Sequence, residues 1–540
     1  MIQNPILPGF NPDPCICRRN DNYYLATSTF EWFPGVAIYL SKDLKNWKLH
    51  THALTDERIL DLRRLGPSKG VWAPCLTWCK QDGLFYLVYS IMHSTSAQFF
   101  DIDNYVITAP EIEGPWSEPV YLNSSGFDPS MFHDEDGRKW VTNLEWESRQ
   151  GYEQPGIIVI QEYSTQEKRL IGTPIRIWRG GTDRGCVEGS HIYKRGEYYY
   201  LMCAEGGTGY GHCVTMGRSK TILGEYEPDP MNPILTSTAH DFYSRHDSWH
   251  LKPYLYNPNS ELQKSGHASW IETQNGENYL VHHSSRPYKP ELRCTLGRET
   301  CIQKMYWTED GWLRLEGEGN LAQIQVPEAN LKEHIWEKEE ERDNFDQGWN
   351  INYYTPRISR KGWAEVIEER QCLRLRGQES LNSLNRVSFV GRKMTAFNLQ
   401  VSTCIDFTPK YFQQSSGLAV YYDNCNYLYF RIYHSESLGG KALGITKVDQ
   451  GRKDENKSHR ILLQEDRKIY LKITIRSGWI RGYFSYDDVK WERIGDAFDN
   501  SLYSDDYCDG FTGAFIGMCC IDSQNRTQYA DFDYFDYKTN

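Results

Sequence analysis

The sequence predicts an all-β protein, a five-bladed β-propeller followed by a β-sandwich. Three observations predict it. Short runs rich in Tyr, Val, Ile and Trp alternate with Gly, Asn, Asp and Pro turns over the first 320 residues. Long amphipathic helical periodicity is nearly absent there. One structural phrase recurs five times along the same stretch.

Each repeat opens on a distinctive residue followed by Pro or a small residue. A short strand, a polar turn and an aromatic strand come next. The first runs from Asp13-Pro-Cys through the turn at Arg19 to Tyr23-Tyr-Leu, and the second from Ala73-Pro-Cys through Gln81-Asp-Gly to Phe85-Tyr-Leu. The third runs from Asp128-Pro-Ser to Lys139-Trp-Val, the fourth from Glu188-Gly-Ser to Tyr198-Tyr-Tyr, and the fifth from His267-Ala-Ser to Asn278-Tyr-Leu. The starts are 60, 55, 60 and 79 residues apart. That length holds about four strands, the size of a propeller blade. A lone four-stranded sheet cannot bury both faces, whereas blades in a ring bury them on one another. The propeller is therefore expected over residues 1–318 and a charged linker over 319–342. A β-sandwich is expected over 343–540, where Leu399–Asp406, Tyr427–Tyr433 and Ile469–Ile475 alternate with period two.

Composition narrows the function. The chain of 540 residues has 60 Lys and Arg against 72 Asp and Glu, a net charge of −12. Such a chain is a poor binder of nucleic-acid backbone. No apolar run approaches bilayer length, so no membrane span is expected. The N-terminus shows no signal-peptide pattern, and 15 scattered cysteines fit reduced thiols, so a cytoplasmic location is expected. Cys15-x-Cys17, Cys75-x3-Cys79 and Cys519-Cys520 lack paired CxxC spacing and nearby His partners, and read as small buried residues. Gly66-Pro-Ser68-Lys-Gly70 matches a nucleophile elbow without its strand-turn-helix context. Gly206 to Gly211 lacks the Lys-Ser/Thr of a phosphate loop and reads as a turn near the site.

The repeat register carries the chemistry. Its first positions are Asp13, Ala73, Asp128, Glu188 and His267, which a ring would bring to one mouth of its channel. Converging carboxylates drive their pKa values apart, as glycoside hydrolysis requires of its acid and its carboxylate partner. Phe30, Trp32, Phe33 and Trp72 are candidates to stack on sugar faces. Each acid alone has a plain reading as a turn former, and His267 as a structural histidine.

The chain resembles β-xylosidases of glycoside hydrolase family 43 that carry a C-terminal β-sandwich. The matching phrases include Gly9-Phe-Asn-Pro-Asp-Pro14, Val71-Trp-Ala-Pro74, Gly126-Phe-Asp-Pro-Ser130, Glu188-Gly189 with His191, Gly266-His-Ala-Ser269, Leu296-Gly-Arg-Glu-Thr300 and Phe511-Thr-Gly-Ala-Phe515. The resemblance implies an exo-acting, inverting β-1,4-xylosidase that releases xylose from xylooligosaccharides. Asp13 would be the general base, Glu188 the general acid, and Asp128 the residue that tunes and holds the acid. Phe30, Trp72, Ala73, His267, Arg298 and Phe511 would surround the substrate. No cofactor is implied as required, although a divalent cation such as calcium is placed near His267 in some relatives. Homo-oligomerisation is left open. Cys15 and Cys186-Val-Glu-Gly-Ser depart from the family pattern, and the stretch from Arg286 to Leu296 is short. The alternatives are an α-L-arabinofuranosidase or bifunctional enzyme and, from another class, a non-catalytic glycan-binding protein.

Overall fold

A computed structural model describes residues 1–149, 151–152, 156–238, 251–317, 319–465 and 467–539. Residues 318 and 540, two of the expected domain boundaries, lie outside the described residues. Five antiparallel sheets follow one another in the first part of the chain. Blade one holds Cys15–Arg19, Asn22–Thr27, Gly35–Ser41 and Lys48–Leu54; blade two holds Gly70–Cys79, Leu84–Ser94, Asp101–Ala109 and Val120–Tyr121. Blade three holds Ser130–His133, Lys139–Glu145, Ile157–Ser164 and Arg169–Trp178. Blade four is built on Glu188–Arg195, Tyr198–Glu205 and Cys213–Ser219, with Glu227–Pro228 and Leu235–Thr236 on its outer edge; blade five holds Gln263–Glu272, Asn278–Ser285, Glu299–Trp307 and Leu313–Leu315.

The first strand of each blade packs on the first strand of the next, and that of blade five returns to Cys15–Arg19. The ring is closed, and the Ile16 N–H donates to Ser269 Oγ (3.2 Å) across the closing seam. Side-chain alternation supplies the glue. In Asn22–Thr27, Tyr24 and Ala26 join the core shared with blade two, while Tyr23 and Leu25 join the core shared with blade five. In Tyr198–Glu205, Leu201 and Cys203 face blade three, while Tyr200 and Met202 face blade five. Period-two alternation with apolar residues on both faces is what a blade between two neighbours demands. No described helix is long and apolar enough to cross a membrane.

The stretch expected as a linker runs along blade one. Gln325–Val326 pairs antiparallel with Ile2–Gln3, the His334 N–H donates to Asp43 Oδ2 (2.8 Å), and Trp336 Nε1–H donates to the Asn46 carbonyl (3.1 Å). Beyond it two sheets face each other over one apolar core. One contains Cys372–Arg376, Leu399–Asp406 and Ile469–Arg476; the other contains Phe389–Lys393, Gln414–Asp423, Asn426–Ser435 and Phe515–Asp522.

The sandwich is welded to the propeller by aromatic rings. Trp32 is fully buried and stacks on Phe515, with centroids 3.6 Å apart and planes at 18°. Phe10, Phe30, Tyr354, Phe389 and Tyr421 complete this seam. Thr355–Pro356 also pairs with Trp32–Phe33. Trp32 and Phe33, expected as sugar-stacking residues, are therefore structural: Trp32 is sealed in the seam, and Phe33 is buried in the core of blades one and two. Trp32→Ala is predicted to cost about 3–5 kcal/mol, measured as a lowered midpoint of urea unfolding. A loss below about 1 kcal/mol would show that the seam is not cohesive.

Candidate active site

The repeat register is a backbone device. Asp13, Ala73, Asp128 and His267 take φ of 54°, 36°, 54° and 51°, in the left-handed region that L residues rarely adopt. Strand register breaks at Trp72–Cys75, at Glu188–His191 and around Gly266–Ala268, so β-bulges sit at the same level of three blades. Bulges re-aim a side chain out of the pleat, and strained backbone concentrates at functional sites. Blade four differs by one residue, because Gly189, not Glu188, takes the left-handed turn (φ 56°). A Cβ on Gly189 would lie 2.9 Å from the His267 ring, so glycine is required there.

The three carboxyl groups and His267 line one cavity of about 350 Å³. Phe30, Trp72, Phe127 and Phe511 form its apolar wall, with Trp72 5.7, 5.6 and 5.9 Å from the other three rings in that order. Phe100 stacks on Trp146 at 3.9 Å on another part of the lining. Gly207 and Thr208 also line the cavity, so the glycine-rich turn lies at the site. Ser68, the false nucleophile, accepts the Phe511 N–H on its hydroxyl (2.9 Å) and receives Trp72 Nε1–H on its carbonyl (3.0 Å). It fixes two wall residues.

Asp13 is the best-supported carboxylate. Arg298 Nη1 donates to its Oδ1 (2.7 Å) and Ser28 Oγ to its Oδ2 (2.7 Å), and His283 Nδ1 lies 3.3 Å from Oδ1. Burial alone would favour the neutral acid, but Arg298, His283 and His267 together outweigh it and hold the group well below the usual carboxylate range. The Ala73 N–H donates to Ser28 Oγ (2.7 Å), so the left-handed turn at Ala73 aims an amide at the hydroxyl that serves Asp13. Ala73 is not among the residues that line the cavity, and its amide is tied to the site through Ser28.

Glu188 behaves in the opposite way. Protein surrounds its carboxyl except where the cavity opens, and among the described residues it accepts no hydrogen bond. Burial first, then the Asp13 charge, push its pKa up to about 8, against a lesser pull from Arg298. Asp128 is also raised, by burial, Glu188 and Asp13, although the Gly189 N–H donates to its Oδ2 (3.0 Å). The repulsion between Asp128 and Glu188 acts on both groups and favours their protonated forms, and Asp128 also grips the peptide beside Glu188. Among the described residues, the full cation that touches the cluster, Arg298, is committed to Asp13. His267, lowered by burial, has Nδ1 3.9 Å from both Asp13 Oδ1 and Asp128 Oδ2.

Calcium takes six to eight oxygen ligands. The carboxylate oxygens facing His267 already accept from Arg298 and Gly189, so these side chains do not form an oxygen cage for calcium.

Sequence reasoning missed Ser28, which follows the second strand of blade one, and His283, which lies in the second strand of blade five. The signal was weak: Ser28 is one of several small hydroxyl residues after Tyr23-Tyr-Leu, and His283 sits beside a second histidine. Cys15 and Cys75 also turn out to have a histidine nearby, His191, because ring closure juxtaposes residues far apart in the chain.

Two family models match the chain: glycosyl hydrolases family 43 over residues 2–313, and the β-xylosidase C-terminal concanavalin A-like domain over residues 342–538. The chain is 42% identical to a β-xylosidase of Bacillus subtilis (strain 168), with 99% of each protein covered. It is 39% identical to xylosidase/arabinosidase 43B of Humicola insolens, covering 99% of this chain and 97% of that one. Among solved structures it is similar to a xylan β-1,4-xylosidase from Bacillus halodurans C-125, with 45% identity, a TM-score of 0.94 and full coverage of both chains.

Gly189→Ala is predicted to destabilise by about 2–4 kcal/mol, combining left-handed strain with overpacking against His267. Gly196→Ala, at φ 59° with nothing within 4 Å of the added Cβ, should cost only about 1 kcal/mol. Equal losses in urea unfolding would show that the His267 contact is not restrictive.

Proposed function

The chain belongs to glycosyl hydrolases family 43, and we propose that it is an exo-acting, inverting β-1,4-xylosidase in which Asp13 is the general base and Glu188 the general acid. One observation carries the assignment of roles. A carboxylate locked in its ionised form by Arg298 and a proton-holding carboxyl with no hydrogen-bond partner among the described residues face the same apolar cavity.

The reaction follows from that asymmetry. A terminal xylose enters the cavity with the aromatic wall against its apolar face. Glu188 gives its proton to the glycosidic oxygen as the bond to the anomeric carbon breaks. Asp13 takes a proton from water attacking the opposite face of the oxocarbenium-like transition state. Glu188 ends ionised and Asp13 protonated, and proton exchange with solvent resets them. Asp128 acts as a positioning residue, holding the Gly189 peptide and with it the backbone of Glu188. Arg298 spans the reaction's charge and the wall, since its Nη2 donates to the Phe511 carbonyl (3.0 Å). A cavity of about 350 Å³ suits a chain end, which supports exo action. The Humicola relative, named for both activities, motivates a second reading in which arabinofuranosides are also cleaved. Rates on the two 4-nitrophenyl glycosides distinguish the readings.

Three outcomes test the proposal. Xylotriose followed by NMR should yield xylose and xylobiose first, with the new reducing end as the α-anomer; a β-anomer would overturn inversion. Glu188→Gln should lower kcat/KM on xylobiose about 10²–10⁴-fold and lower it far less on 4-nitrophenyl xyloside, whose leaving group needs little protonation. In the wild type, activity requires Glu188 protonated, so kcat/KM should fall tenfold per pH unit above about pH 8. A flat profile to pH 10 would remove Glu188 as the acid.

A further inference from the structure

Below the carboxyl groups, one layer deeper along the propeller axis, three soft donors from three blades meet. Cys15 and Cys75 each lie two residues past the register positions Asp13 and Ala73, and His191 lies three past Glu188. Their ligand atoms are mutually within 4.8 Å, and Cys75 Sγ is 3.8 Å from His191 Nδ1. All three residues are buried. Tetrahedral zinc with bond lengths of about 2.3 Å to sulfur and 2.0–2.1 Å to nitrogen places sulfur and nitrogen about 3.6 Å apart. The observed separation is close to that value without any rearrangement. Around the donors, Cys15 and Cys75 pack with Met131, Val88 and Val141, an apolar shell of the kind that shields a bound ion from water. Ser269 Oγ lies 3.9 Å from Cys15 Sγ, and Cys15 Sγ is 3.6 Å from the Leu76 carbonyl. The serine oxygen is thus near enough to serve as, or to support, a fourth position.

We propose that Cys15, Cys75 and His191 form a binding site for one soft divalent cation of the zinc class. Two thiols and one imidazole match such an ion, and exclude calcium and magnesium, which demand oxygen. Binding releases the two thiol protons and leaves both sulfurs as thiolate ligands. The ion joins blade one to blade four across the axis, two blades that are not neighbours in the ring, and fixes the strands that lead up to Asp13 and Glu188. Its role is structural, since it lies beneath the cavity and not in it: none of its three ligands lines the cavity.

Cobalt(II) is the probe, because cobalt bound by thiolates gives a near-ultraviolet charge-transfer band and visible d–d bands. The full-length protein, kept reduced, is titrated with cobalt(II) and then with zinc(II) as competitor. The wild type should develop the thiolate band to one equivalent and lose it to zinc. Cys15→Ser and Cys75→Ser, both near-isosteric, should lose the band while keeping the wild-type far-ultraviolet circular dichroism. His191→Gln should weaken cobalt binding at least tenfold, and Cys425→Ser, a half-buried thiol elsewhere, should bind as the wild type does. Zinc should raise the unfolding temperature of the wild type and of Cys425→Ser, but not of Cys15→Ser or Cys75→Ser. A wild type with no thiolate band, or a band that survives in Cys15→Ser and Cys75→Ser, would overturn the site.

Discussion

A single guanidinium sets the charge state of the whole site. Arg298 lies among the buried Asp13 and Asp128 and the half-buried Glu188, and its geometry commits it to Asp13. One buried cation stabilises one buried carboxylate, and a second ionised acid in the same apolar pocket would be poorly compensated. Glu188 and Asp128 are therefore pushed toward their protonated forms by burial and by the charge already present. The division between a base that is ionised and an acid that holds its proton follows from where one arginine points. The same arginine holds the Phe511 carbonyl, so the sandwich and the charge state share one anchor.

That arrangement requires a ring. Residues 13, 128, 188 and 298 converge only because each blade presents its first strand to the axis and because blade five closes on blade one. Within each blade the local backbone does the final aiming. Left-handed residues and bulges at one level turn side chains out of the pleat toward the mouth. The strain is tolerated because core packing on both faces of every blade determines the strand positions.

The repeat, the propeller and the acids at its register were legible because blade packing imposes a pattern that returns every 55–79 residues. Trp72 was marked by its place beside the register position Ala73, whereas Arg298 and Phe511 came through resemblance, since nothing in their spacing marks them. Relations across the ring were not legible. His283 reaches Asp13 from blade five, Ser28 links Asp13 to the Ala73 amide of blade two, and Cys15, Cys75 and His191 meet only after closure. Trp32 was misread because an aromatic beside a site and an aromatic in a domain seam look alike in sequence. The register placed Asp128 beside Glu188, but the hydrogen bond it accepts from the Gly189 N–H was not legible, because it spans two blades.

The most direct measurement is a carboxyl ¹³C NMR titration of the free protein, with resonances assigned through Asp13→Asn and Glu188→Gln. The account predicts that Glu188 is protonated at pH 6 and titrates near pH 8, while Asp13 stays ionised down to the acid limit of the fold. A Glu188 already ionised at pH 6, or an Asp13 that takes up a proton before Glu188 has done so, would contradict it.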